Sequence, residues 1–115
     1  GLEAVFSPTS RAEVSVMGTL RLSGQDYAVS GRIDRLAVEN ERVILVDFKT
    51  NRVPPADAGA VSLSHKAQLA IYREILKPLY PGKRFDCVLV YTETAAAIRL
   101  PAELLDDSLA AIKTK

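Results

Sequence analysis

A run of four aliphatic residues, Val43-Ile44-Leu45-Val46, passes without a break into Asp47-Phe48-Lys49-Thr50. Continuous rather than alternating apolarity is the mark of a strand covered on both faces, so the chain must build its other elements around this segment. Side chains alternate along a strand, which puts Asp47 and Lys49 on one face and Phe48 on the other. Two charged groups therefore enter a part of the fold where unpaired charge costs several kcal/mol. They must be paired with each other or hold something.

With 115 residues, 48% of them apolar, the chain has the length and core material of one domain. Fifteen Lys and Arg against 14 Asp and Glu leave a net charge of +1. This is no general polycation, so any hold on nucleic acid must come from a local face. No apolar run approaches the roughly 18–20 residues needed to cross a bilayer. Gly1 to Phe6 lacks the basic and apolar stretches of a signal peptide. The expected setting is cytoplasmic, and the missing initiator Met suggests a piece of a longer chain. Cys87, the single cysteine, excludes a disulfide framework, a thiolate zinc cluster and an iron–sulfur centre within the chain. It reads as an inert core thiol.

Residues 1–11 read as an irregular lead-in to one domain spanning 1–115. Val14, Val16, Leu20 and Leu22 alternate with polar residues and predict a strand from Glu13 to Leu22. Ser23-Gly24-Gln25-Asp26 is turn chemistry, and Tyr27 to Val38 returns as the second arm of a hairpin. After Arg35 the apolar positions switch parity, from Ile33 to Leu36 and Val38, which predicts a bulge or a sharp twist. The Val43 strand follows a polar turn. Pro54-Pro55 then breaks the chain, and Ser62 or Ser64 can cap a helix to about Leu76. Phe85–Tyr91 and Ala97–Leu100 predict two more strands, and Pro101 opens a last helix with Leu105, Leu109 and Ile112 buried. The expected fold is a mixed α/β sheet: a three-stranded antiparallel meander, a helix, further strands and a C-terminal helix.

Asp34 lies thirteen residues before Asp47, and antiparallel pairing around the Glu39–Arg42 turn brings the two roughly level. Adjacent carboxylates repel unless a cation sits between them. Hard oxygen ligands without His or Cys select magnesium, with manganese as a substitute. Such an ion polarises a phosphodiester and acidifies a water, while Lys49 would orient that water or stabilise the growing negative charge. The plainer alternative is an Asp47–Lys49 pair that only caps a strand end.

Ser30-Gly31-Arg32-Ile33-Asp34-Arg35-Leu36, then Val46-Asp47-Phe48-Lys49-Thr50, then Gln68-x-x-x-Tyr72 resemble the G-x-x-D-R, D-[YF]-K-T and Q-x-x-x-Y motifs of the RecB-like branch of the PD-(D/E)XK nucleases. Asn51-Arg52, Tyr80-Pro81-Gly82 and Leu100-Pro101 further resemble the C-terminal nuclease region of AddA-type helicase-nucleases. The resemblance implies a restriction-endonuclease-like core. It implies Asp34, Asp47 and the backbone carbonyl of Phe48 as metal ligands, Lys49 as the catalytic lysine, and Gln68 and Tyr72 as residues that approach the active site and DNA. The family often carries an acid near the start of the first strand, for which Glu13 is the candidate, or a His on a preceding helix; no His precedes residue 65.

The implied function is a magnesium-dependent exodeoxyribonuclease domain of an ATP-dependent helicase-nuclease. It would act on a single strand during double-strand break processing and recombinational repair, beside an AddB-like partner subunit. The alternatives are a catalytically silent DNA-binding or subunit-docking module of the same fold, and a generic α/β interaction domain. Arg35 could meet an acid of the site or a DNA phosphate. Arg32, Arg52, Lys66 and Arg73 could form a basic rim, or be scattered surface charge. His65, in the first turn of the long helix, reads as an exposed polar residue without clustered partners.

Overall fold

The computed structural model describes residues 10–50 and 53–113. Five strands form one sheet in sequential order: β1 (Ser10–Leu22), β2 (Gln25–Val38), β3 (Arg42–Lys49), β4 (Arg84–Tyr91) and β5 (Ala96–Leu100). The first three make an antiparallel meander, β4 lies parallel to β3, and β5 returns antiparallel to β4. The parallel step needs a crossover, and α1 (Leu63–Leu76) supplies it. The second helix, α2 (Ala102–Lys113), packs against α1.

The aliphatic run sits at the middle of the sheet, with Val43, Ile44, Leu45 and Val46 all buried. Val43 and Leu45 join the large core made with Leu69 and Leu76 of α1 and Leu105 and Leu109 of α2. Ile44 and Val46 face the other way, with Ala37, Val88, Phe48 and Val90. Burial on both faces is why this strand shows no alternation. Cys87 is fully buried in the large core and free, its thiol pushed up to about 12 by burial.

Strand β1 begins at Ser10, so Ser10 and Arg11, expected in an irregular lead-in, belong to the strand; residues 1–9 lie outside the described residues. The parity switch in β2 is present, since Ile33 and Leu36 both enter the large core. It is not a bulge. Ala12 pairs with Arg35 and Val14 with Ile33, so the register is the same on both sides and neither strand gains a residue. Instead Glu13, level with Asp34, takes a positive φ of 54°. That local turnover changes which face of the hairpin meets the core.

Ser62 caps α1, its hydroxyl accepting from the His65 N–H at 3.4 Å. Arg73, a candidate for a basic rim, is buried instead. Its Nη2 lies 2.6 Å from Asp106 of α2, and its Nε lies 3.2 Å from Glu74. It locks the two helices together, because a guanidinium taken out of water must find carboxylates. Arg52 and Asn51 lie outside the described residues.

Candidate active site

The ladder between β2 and β3 ends at the Arg35–Val46 pair. One step further, Asp34 and Asp47 lie level where the strands part. The Phe48 N–H, left without a ladder partner, donates instead to Asp34 Oδ2 at 2.8 Å. A strand residue turns its N–H and C=O to the same side, so the Phe48 carbonyl also faces this opening. Lys49 turns the other way, its carbonyl accepting from the Thr92 N–H at 3.0 Å. The split between two strands thus presents two carboxylates and one main-chain oxygen.

The carboxyls of Asp34 and Asp47 are close enough to hydrogen-bond each other. Burial, and then that contact, pushes Asp47 up to about 6, against the pull of Lys49. Burial works on Asp34 in the same direction. There, however, the hydrogen bonds from Asp47 and the Phe48 N–H, with the charges of Lys49 and Arg32, outweigh it and hold the group below the usual carboxylate value. The pair therefore shares a proton only below about pH 6, and that proton resides on Asp47.

Lys49 Nζ lies 2.7 Å from Asp47 Oδ2, with both side chains only 16% exposed. The approach is ionic without hydrogen-bond direction, so among the described residues the buried Oδ2 has the Lys49 ammonium beside it but no directed hydrogen bond. Two carboxylates held this close repel unless positive charge lies between them. The residues present fit a hard divalent ion: two carboxylates and a main-chain carbonyl facing the same opening. Magnesium asks for no more than one or two carboxylates and keeps several waters. Among the described residues no third His, Cys, Asp or Glu joins the pair. Glu13 stands level with Asp34 on β1 but is exposed.

Gln68 and Tyr72 share a face of α1, the Gln68 Nε2 donating to the Tyr72 hydroxyl at 3.4 Å. Tyr72 is buried over Gly31, so the helix pair meets β2 three residues before Asp34. Arg35 turns its Nε to Ser10 Oγ at 3.1 Å. Arg32 is exposed, and its charge reaches Asp34.

Sequence reasoning set His65 aside and missed Tyr91. His65 is half-buried rather than exposed, and burial together with the Lys49 charge lowers its pKa. Tyr91 lies beside Lys49 in the β3–β4 register and is raised by burial in turn. The sequence signal for Tyr91 is parity alone: an aromatic residue ending the strand parallel to the one that carries Lys49.

This strand-end geometry has a known family setting. The chain belongs to the PD-(D/E)XK nuclease superfamily, whose profile matches residues 2–112. The fold is similar to the crystal structure of SSO0001, with a TM-score of 0.53 and 22% identity, covering 90% of this chain and 50% of that one. Two curated relatives are described as subunits of an ATP-dependent helicase/nuclease. The Streptococcus mutans protein is 29% identical over 68 residues, 59% of this chain and 5% of that protein. The Streptococcus suis protein is 28% identical over 79 residues, 69% of this chain and 6% of that protein. The chain thus spans a small fraction of the relatives it matches.

Proposed function

We propose that this chain is a magnesium-dependent deoxyribonuclease domain, hydrolysing the phosphodiester backbone of a single DNA strand within an AddA-type helicase-nuclease. The observation that supports the reading is the pair of carboxylates, Asp34 and Asp47, held against each other where β2 and β3 part, with the Lys49 ammonium 2.7 Å from Asp47 Oδ2. Two carboxylates forced together in this way are a poor structural element and a good metal site.

Asp34, Asp47 and the Phe48 carbonyl would hold the ion. When bound, a divalent ion supplies positive charge to the phosphate oxygens and lowers the pKa of a water. Asp34 is kept ionised and held in place by the Phe48 N–H. Asp47, ionised above about pH 6, would turn its carboxylate to the ion, and Lys49 would offer its ammonium to the phosphate, where it stabilises the charge of the transition state. Gln68 is exposed on the helix face toward the opening and offers an amide to the strand. Tyr72 orients that amide, Arg32 adds an outer positive charge, and Arg35 braces β1 against β2. Glu13 is a further oxygen donor that a rotation at its turn would bring to the ion.

The proposed biological setting is double-strand break processing and recombinational repair, in the cytoplasm, beside an AddB-like subunit. The relatives' descriptions and the superfamily support it. The direct test is cleavage of end-labelled single-stranded DNA in magnesium, in manganese and in EDTA. Metal-dependent degradation that Asp34→Asn abolishes is the expected result. Degradation that survives EDTA, or that Asp34→Asn leaves intact, overturns the assignment.

A further inference from the structure

Beside Lys49 the structure holds a cavity of about 410 Å³ that the hydrolytic chemistry does not use. Its apolar wall is Val53, Pro54, Pro55 and Ala60, from the segment joining β3 to α1. His65 from α1 and Tyr91 from β4 close it. The wall is rigid: two consecutive prolines have fixed φ, and the turn at Ala58–Ala60 is capped by Asp57, whose Oδ1 accepts from the Ala60 N–H at 3.0 Å. Val53 is 83% exposed, an aliphatic surface with nothing packed on it.

Two polar groups face this apolar slot without a partner. Among the described residues neither the His65 imidazole nor the Tyr91 hydroxyl makes a hydrogen bond, whereas Ser62, at the rim, spends its hydroxyl on the His65 N–H. Flat apolar walls with a few unpaired polar groups at the edge suit a flat ring that carries its own donors and acceptors. The neighbourhood of Lys49 narrows the choice further. Tyr91 pairs with Lys49 across the sheet, and Thr92 binds the Lys49 carbonyl. The cavity thus borders the end of β3 that carries Asp47 and Lys49.

We propose that this cavity is a nucleobase subsite, in which one base of a single DNA strand lies against Pro54, Pro55 and the His65 ring, with the Tyr91 hydroxyl meeting its polar edge. The subsite rests on the nuclease reading and adds to it a device that holds the strand by its base as well as its backbone. Stacking accepts any base, so the subsite favours unpaired over paired DNA without selecting sequence. Duplex bases are already stacked and cannot enter.

The test compares binding of two oligomers of equal charge, dT12 and its wholly abasic counterpart, by fluorescence anisotropy in EDTA. The wild-type protein should bind dT12 about tenfold more tightly, the order expected for one stacked base. His65→Ala should remove most of that preference, and Tyr91→Phe, which keeps the buried ring, should reduce it. Circular dichroism of each variant checks that it is folded. Equal binding of the two oligomers by the wild type overturns the proposal, as does a preference that folded His65→Ala and Tyr91→Phe both retain. Cleavage in magnesium reads the nuclease assignment separately. A protein that prefers dT12 through His65 yet cuts nothing keeps the subsite and loses the hydrolase.

Discussion

Tyr72 sits on Gly31 so closely that a Cβ built on that glycine would lie 2.8 Å from the ring's Cε1 and Cζ, and nearer still to its hydroxyl. The first residue of one motif and the last of another are thus one contact. The Tyr72 phenol, which accepts from Gln68 on the same helix, fills the space over β2 that a side chain at residue 31 would need. Gly31→Ala should destabilise the protein by about 1–3 kcal/mol, the usual cost of overpacking a fixed core. Urea denaturation measures it, and Tyr72→Phe in the same background should recover part of the loss. A Gly31→Ala protein with the wild-type midpoint would show that the helix moves away freely.

Lys49→Ala should lower the rate of single-strand cleavage about 100-fold or more, by removing transition-state stabilisation. DNA affinity should change little, since one lysine is a fraction of the phosphate contacts. Asp47→Ala should also stop cleavage, but through loss of the ion. Raised manganese should therefore partly restore Asp47→Ala and not Lys49→Ala. Equal rescue of both would place Lys49 among the residues that hold the ion.

Manganese or magnesium well above its dissociation constant should stabilise the folded protein by roughly 1–3 kcal/mol through mass action. Thermal melts with and without the ion read the effect. Asp47→Asn removes the mutual repulsion as well as the ligand. It should melt higher than the wild type in EDTA and show no shift with manganese. A manganese shift of wild-type size in Asp47→Asn would put the ion elsewhere.

The metal-free protein should respond to pH through Asp47. Its pKa, about 6 in the fold, is above the ordinary 3.8. The folded state therefore holds a proton that the unfolded chain releases, and stability contributed by that proton is lost as pH rises through 6. His65 works in the opposite direction, because a lowered histidine pKa costs stability as pH falls through its usual 6.5. Asp34, lowered, acts only below the ordinary carboxylate value. The measurement is thus the difference between wild type and Asp47→Asn, melted in EDTA at pH 5 and pH 7. The wild type should gain on the variant at the lower pH. Parallel curves would mean that Asp47 is ionised throughout.

Much of this architecture is written locally. The aliphatic run of β3, the cap at Ser62 and the break at Pro54-Pro55 each act within a few residues of chain. They yield the order of elements and, through the turn at Glu39–Arg42, the level positions of Asp34 and Asp47. What the sequence could not carry is whatever depends on partners distant in the chain. A parity switch at Arg35 reads equally as a bulge or a sharp twist; only the unbroken β1–β2 register and the positive φ of Glu13 exclude the bulge. Arg73 looks like a surface cation because periodicity says nothing of Asp106, thirty-three residues away on the next helix. His65 looks solitary because its neighbours, Lys49 and Tyr91, arrive from two other elements. Periodicity records which face of a segment leaves water. Which charged or aromatic groups meet on that face is set by how the segments pack.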